Sequence, residues 1–221
     1  RVLRESGLAE GAGALLDVGC STGGMLMAAA RCGYQATGVD VAFRWQVVGQ
    51  ARLREAGVEA RFVCANAEHL PFADGTFDAV AGQDALEHLF DAGLAVKEGR
   101  RVSKAGARAL WTTNNRWAPL PEPHLHLWGL PWLPRRWQAG YVRRRRDDLH
   151  PYSICMRSRG EVLRLLQEAG YGEARVEAAP QWGEGIRTRV LEAYNRVRGG
   201  VGVKQLLRGI GPRFWAEGRN G

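Results

Sequence analysis

The residues with the clearest chemical potential lie near the start of the chain, in Leu15-Leu16-Asp17-Val18-Gly19-Cys20-Ser21-Thr22-Gly23-Gly24. An apolar run ends there in a glycine turn, and the alanine-rich stretch 25–32 that follows reads as a helix. Glycine tolerates positive φ and carries no side chain, so a ligand can approach bare backbone. The free N–H groups of the next helix can then meet negative or lone-pair-bearing ligand atoms. A ligand is expected over residues 19–23. Asp40 closes a second apolar run, Thr37-Gly38-Val39-Asp40, about twenty residues beyond Gly19, where a carboxylate accepts both hydroxyl protons of a ribose. On turn statistics alone Asp40 is an ordinary strand-end residue; its register with the glycine turn gives it a ligand-binding reading. Ser21 stands where the dinucleotide fingerprint wants glycine, which weakens a pyrophosphate reading.

A second set of reactive types follows at Asp84-Ala-Leu-Glu87-His88. Asp84 and Glu87 fit a helix capping box, which predicts a structural role for both. His88 escapes that explanation. It follows the fourth apolar run, at the edge where ligands bind in open α/β sheets, and is the first candidate for a general base. His124 and His126 come next, then His150. A lone histidine is more often a surface or packing residue, and one Glu-His pair does not make a metal site, so no metal is expected. Ala73-Asp74-Gly75-Thr76 reads as a tight turn without chemistry.

These residues need elements to hold them. Short apolar runs at 14–18, 36–39, 60–64, 77–81 and 107–112 read as strands, alternating with helical patterns. That alternation predicts an α/β fold: a Rossmann-like, doubly wound, mostly parallel sheet with helices on both faces. Ser158-Arg159-Gly160-Glu161 is a capping-box signature, and Gly170 sits where a C-terminal cap belongs, so a helix is expected between them. Strands at 175–179 and 212–217, with a mainly helical stretch at 186–208, would complete seven strands. Between the fifth strand and the capped helix, proline, tryptophan and arginine accumulate without a period. Residues 114–157 are therefore expected to form a lid or acceptor-binding insertion within a single domain spanning 1–221.

LLDVGCSTGG, TGVDV, ANAEHLPFADGTFDAV and DALEHL, in that order and spacing, resemble successive motifs of the class I S-adenosylmethionine-dependent methyltransferases, of the methyltransferase type 11 kind. The resemblance covers about residues 15–111 and leaves the acceptor half uncovered. It implies methyl transfer from S-adenosyl-L-methionine, with S-adenosyl-L-homocysteine as product. It also implies that Gly19, Cys20, Ser21 and Gly23 line the methionine and ribose, that Asp40 and Val41 hold the ribose, and that Asn66 and Ala67 meet the adenine edge. Asp17 would orient the cofactor's ammonium, and Gln83 would face the methionine or the reacting centre. Two departures stand out: Ser21 takes a common glycine position, and Asn66 stands where many relatives carry Asp. An Asn oxygen still accepts a hydrogen bond, without charge assistance.

Methyl transfer from a sulfonium is an in-line displacement that needs chiefly alignment and water exclusion. The acceptor is expected to meet Trp117, Trp128, Trp132 and Arg136. Aromatic and guanidinium groups together suit a small, lipid-linked or sugar-linked acceptor, methylated at O, N or C. The bland alternative is that the tryptophans pack the insertion onto the sheet and the arginines stay solvated. Peripheral contact with an anionic membrane is a second use for the same residues. Two rival functions remain open: an RNA methyltransferase using the basic insertion, although no RNA-binding module accompanies it, and a non-catalytic nucleotide-fold binding protein.

The 221 residues carry a formal net charge of +8, almost all of it from arginine, which allows anionic partners without naming one. Four cysteines without C-x-x-C or zinc spacing point to a reducing compartment, and a cytoplasmic location, at most peripheral to the inner face of a membrane, is expected. The start at Arg1, without an initiator Met, suggests a trimmed N-terminus.

Overall fold

The computed structural model describes residues 3, 8, 12–145, 154–179 and 213–221. Seven strands form one sheet in the order β3-β2-β1-β4-β5-β7-β6. β1 (Ala14–Val18), β2 (Gln35–Asp40), β3 (Arg61–Cys64), β4 (Phe77–Gly82) and β5 (Ser103–Asn114) run parallel. β7 (Arg213–Arg219) inserts antiparallel between β5 and β6 (Gly172–Ala178). The order reverses direction at β1, so the carboxyl ends of β1 and β4 flank a crevice, the place where open α/β sheets bind ligands.

The described helices follow from the sequence except at Asp84–Glu87, where none forms, and at Arg135–Arg143, where one forms in a segment read as having no period. α1 (Gly24–Arg31) and α2 (Phe43–Glu55) connect β1 to β2 and β2 to β3. α3 (Ala92–Arg101) starts at Asp91, whose carboxylate accepts from Leu94 N at 2.9 Å. The Asp84–Glu87 capping box is not formed. Asp84 has φ 51, no helix follows it, and Glu87 turns inward to bond β5. The tertiary partners outcompete the local pattern. α5 (Arg159–Glu168) does carry the expected capping box, with Ser158 and Glu161 bonded reciprocally, and Gly170 adopts φ +85 beyond its end. The stretch 186–208, read as helical, lies outside the described residues.

Two apolar clusters cover the two faces of the sheet. One gathers Leu16, Val18, Val80, Trp111, Val162, Leu166 and Phe214; the other Leu15, Leu26, Ala29, Leu53 and Leu110. Adjacent residues of β1 thus belong to opposite faces, as the two-residue strand period requires. Trp111 fits only because Gly82 lacks a side chain: a Cβ there would lie 2.5 Å from the indole.

Candidate active site

At the carboxyl end of β1 the chain winds back through three left-handed positions, Gly19 (φ 76), Ser21 (φ 45) and Gly23 (φ 76). A Cβ on Gly23 would lie 2.8 Å from the Phe62 ring, and one on Gly19 would lie 3.1 Å from Ala85, so both positions are crowded and φ strains any other residue there. Gly19 N and Cys20 N donate to Val39 O at 2.8 and 3.0 Å, which fixes the turn against the end of β2. The serine departure has a local explanation. Ser21 N donates to Asp40 Oδ2 at 2.9 Å, and this charge-assisted bond offsets the cost of a left-handed non-glycine residue.

Asp40 therefore does two things. Its Oδ2 holds the glycine turn and its Oδ1 accepts from Ala42 N at 2.8 Å, leaving further lone pairs on both oxygens for ribose hydroxyls. Its own backbone is held by Gln46, a fully buried side chain that donates to Asp40 O at 2.7 Å and Val63 O at 3.0 Å. Nothing in the sequence singles Gln46 out, since it occupies an ordinary helix position.

Asp17 lies under the turn, 2% exposed, and its Oδ1 has no hydrogen-bond partner. Burial, and then the Asp40 carboxylate, push its carboxyl up to about 7. An orphaned buried carboxylate oxygen is costly, and a ligand ammonium satisfies it. Cys20 behaves differently: burial, followed by the Asp17 and Asp40 charges, pushes its thiol well above the usual range, and the side chain packs tightly beneath Gly38. Cys20 thus offers the turn its backbone rather than its thiol.

The remaining expected contacts fall along the same edge. Val41, directly after Asp40, is exposed. Ala65 N bonds Asp40 O, which brings Asn66 and buried Ala67 up beside the second strand. Asn66 Oδ1 already accepts from Glu68 N at 2.9 Å, so this side chain also shapes its own turn. Asp17 pairs in register with Ala81, and Gln83 is exposed two residues beyond Ala81.

A second group sits where β4 and β5 end. Glu87 is fully buried; its carboxylate accepts from Thr113 Oγ1 at 2.7 Å and Asn114 Nδ2 at 2.6 Å. His88 is exposed, and its ring meets that of His124 edge to face at 4.9 Å between centroids. Among the described residues, Glu87, His88 and His124 are the one group of metal-ligating side chains brought together, with donor atoms within 4.8 Å of one another. His126, in the same turn as His124 with φ 57, stays outside the group, and His150 lies outside the described residues. Glu122 was not anticipated. It is fully buried, and its carboxylate takes His124 Nδ1, His124 N and Leu125 N together.

The segment after β5 is closed at its base by pairing of Asn115 with Arg157 and by Arg116 N donating to Arg157 O. Inside it lie a short 3-10 turn at Leu130–Trp132 and α4 (Arg135–Arg143), and the Arg116 guanidinium donates to Pro131 O in the turn and to Leu133 O just after it. Leu130 and Val142 are buried, whereas Trp117, Trp128, Trp132 and Trp137 are 42–60% exposed. Trp111 and Trp215, in the sheet, are buried by contrast. Arg116 and Arg136 lie over the rings of Trp117 and Trp137. Among the described residues no helix is long and apolar enough to cross a membrane.

Comparison with known proteins places a methyltransferase domain on residues 16–110. The ubiquinone biosynthesis O-methyltransferase of Chromobacterium violaceum is 35% identical over 103 residues, 46% of this chain and 44% of the relative. The sterol 4-C-methyltransferase of Caenorhabditis elegans is 32% identical over 95 residues, 42% of this chain and 28% of the relative. The matched segments thus span half or less of these relatives. In fold, the chain superimposes on an S-adenosylmethionine-dependent methyltransferase from Mesorhizobium loti with a TM-score of 0.67 at 15% identity, covering 99% of this chain and 95% of the other.

Proposed function

We infer that the chain is a class I S-adenosylmethionine-dependent methyltransferase and transfers the methyl group of S-adenosylmethionine to a small-molecule acceptor, a reading supported by the methyltransferase domain matched on residues 16–110. The observation that carries this reading is the buried, unpartnered Asp17 oxygen beside Asp40 under a glycine turn. That combination suits a ligand bearing both an ammonium and a ribose, and it repels a diphosphate.

Asp17 binds the ammonium, Asp40 the ribose hydroxyls, and Asn66 and Ala67 the adenine edge, while Gly19 to Gly23 supply backbone. When bound, the cofactor's sulfonium offers an activated methyl carbon for in-line displacement. The chain's work is then to align the acceptor and exclude water. We assign activation of an acceptor hydroxyl to the Glu87–His88–His124 group, which flanks the carboxyl ends of β4 and β5. Residues 114–157 act as the lid, with Trp117, Trp128, Trp132 and Arg136 facing an apolar acceptor that carries an anionic or sugar-linked group. The exposure of these aromatics beside arginines supports that use, and also a peripheral approach to an anionic membrane holding such an acceptor.

Calorimetric titration with S-adenosylmethionine and S-adenosylhomocysteine, with NAD as control, tests the reading. Micromolar binding of the sulfur ligands and not of NAD is expected. A folded protein that binds neither sulfur ligand refutes it.

A further inference from the structure

We propose that Arg213 recognises the acceptor by an oxyanion, a carboxylate or a phosphate, which its guanidinium holds where β7 begins beside the carboxyl ends of β4 and β5. This rests on the methyltransferase reading and narrows its acceptor to an anionic molecule.

The topology delivers Arg213 to this edge. β7 runs antiparallel to β5, so its first residue pairs with Asn114, the last of β5. The two-residue strand period puts Asn114 and Thr112 on one face, and Arg213 stands with them. Asp84 joins the group from just beyond β4. It holds φ 51, and Thr112 braces it twice: Asp84 N donates to Thr112 Oγ1 at 2.9 Å, and that hydroxyl donates to Asp84 Oδ1 at 3.1 Å. The next residue, Ala85, lies against Gly19, where an added Cβ would be 3.1 Å away. Asp84 thus links the glycine turn, through Ala85, to the start of β7.

The pairing with Asp84 leaves the guanidinium able to take a second anion. Arg213 Nη2 approaches Asp84 Oδ2 at 3.2 Å, longer than the roughly 2.7–2.9 Å of a charge-assisted bond. Nε is buried with no hydrogen-bond partner, so Asp84 holds the group by one contact and not by a fork. Asp84 is the one ion-pair partner of Arg213 among the described residues, and the arginine side chain is 32% exposed, so outer N–H groups stay open. Burial, the larger influence, raises the Asp84 carboxyl, and the Arg213 charge offsets this only in part. A planar guanidinium carries enough donors for two oxyanions at once. The Glu87 charge, which also acts on Asp84, opposes an incoming anion, and the His88 charge favours one. The insertion offers less: Arg116 is bonded to carbonyls, Arg135 to Glu161, and exposed Arg136 lies over Trp137. A partly buried guanidinium attracts an oxyanion more strongly than a hydrated one.

The test saturates the full chain with S-adenosylhomocysteine and titrates it, by calorimetry, with benzoate, phenyl phosphate and neutral benzamide. One of the two anions should bind about tenfold or more tightly than benzamide, and which one does so names the acceptor's group. Arg213→Ala should weaken that anion by about tenfold and abolish its preference over benzamide. Arg213→Lys keeps the charge without the fork and should restore part of the loss, more for phenyl phosphate than for benzoate. Asp84→Asn keeps an oxygen for Thr112 and removes the competing charge, so anion affinity should rise by about threefold. A merely structural ion pair would instead lower Tm alike in Arg213→Ala and Asp84→Asn and leave the anion preference unchanged. That result overturns the proposal, as does wild-type protein that binds neither anion or binds benzamide equally well. S-adenosylhomocysteine titration of the same proteins reports folding and separates the failures. Protein that binds it without preferring an anion keeps the cofactor reading and loses this one; wild-type protein that does not bind it loses both.

Discussion

On the function proposed above, the two halves of the crevice recognise by different means. Along β1 and β2 the ligand surface is backbone, wound into shape by Gly19, Ser21 and Gly23 and pinned by Asp40. Along β4, β5 and the insertion it is side chain: two imidazoles, two buried carboxylates and a set of exposed tryptophans. A backbone site tolerates little change, because each residue is constrained by φ, by space or by a strand-end bond. A side-chain site can be rebuilt residue by residue on the same scaffold. That difference matches the relatives, which align with this chain over 95 and 103 residues while one is named for a sterol and the other for ubiquinone biosynthesis.

The largest effect should come from Asp40→Ala, which removes ribose contacts and frees Ser21 N at once. S-adenosylhomocysteine affinity should fall by about 100-fold, roughly 3 kcal/mol for two or three lost charge-assisted bonds. Stability should fall by only about 1–2 kcal/mol, from the released Ser21 and Ala42 N–H groups. Calorimetry and denaturant unfolding separate the two. A variant that unfolds but, when folded, binds normally would break the claim that backbone and ligand share this carboxylate.

Asp17 gives the next largest effect, through pH. Its carboxyl is raised to about 7 in the free protein, by burial first and the Asp40 charge second, from 3.8 when unfolded. A group raised in this way binds its proton more tightly when folded. Its contribution to the stability of the free protein therefore declines as pH rises from about 4 to about 7. A bound ammonium reverses the preference and favours the carboxylate. Cofactor affinity should thus weaken about tenfold for each pH unit below 7, and Asp17→Asn should flatten that slope. An unchanged slope in the variant would assign the titration elsewhere.

How much of this was readable from residues alone follows the same division. The glycine turn, Asp40 and the parallel strands are legible because each depends on local rules: positive φ, strand-end position, two-residue periodicity. Glu87 was misread because Asp-x-x-Glu reports only that a carboxylate can reach a nearby N–H. It is silent on whether Thr113 and Asn114, more than twenty residues on, offer better partners. Gln46 left no trace, since its value lies in bridging β2 and β3. Glu122 did leave one: it is the sole acid between Asn115 and Arg146, two residues before a histidine.

Trp128→Ala should sharpen the contrast from the side-chain half. The indole is exposed, and the bond from Tyr141 OH to the Trp128 carbonyl survives the substitution. Tm and cofactor affinity should stay unchanged while the acceptor KM rises by about tenfold, the value of one stacked indole. Equal loss of cofactor and acceptor binding would mean that the insertion belongs to the cofactor site.

The smallest effect should be that of Ser21→Gly. Ser21 holds φ 45, a region that costs a non-glycine residue about 1 kcal/mol, and its side chain is exposed. What the site uses is its N–H, bonded to Asp40 Oδ2, and glycine keeps that donor. Relief of the left-handed strain and the greater flexibility of glycine in the unfolded chain oppose each other, so stability should change by less than about 1 kcal/mol. Cofactor affinity should stay within about twofold. A larger loss of affinity would show that the serine hydroxyl contacts the ligand, and that this half of the crevice is not built from backbone alone.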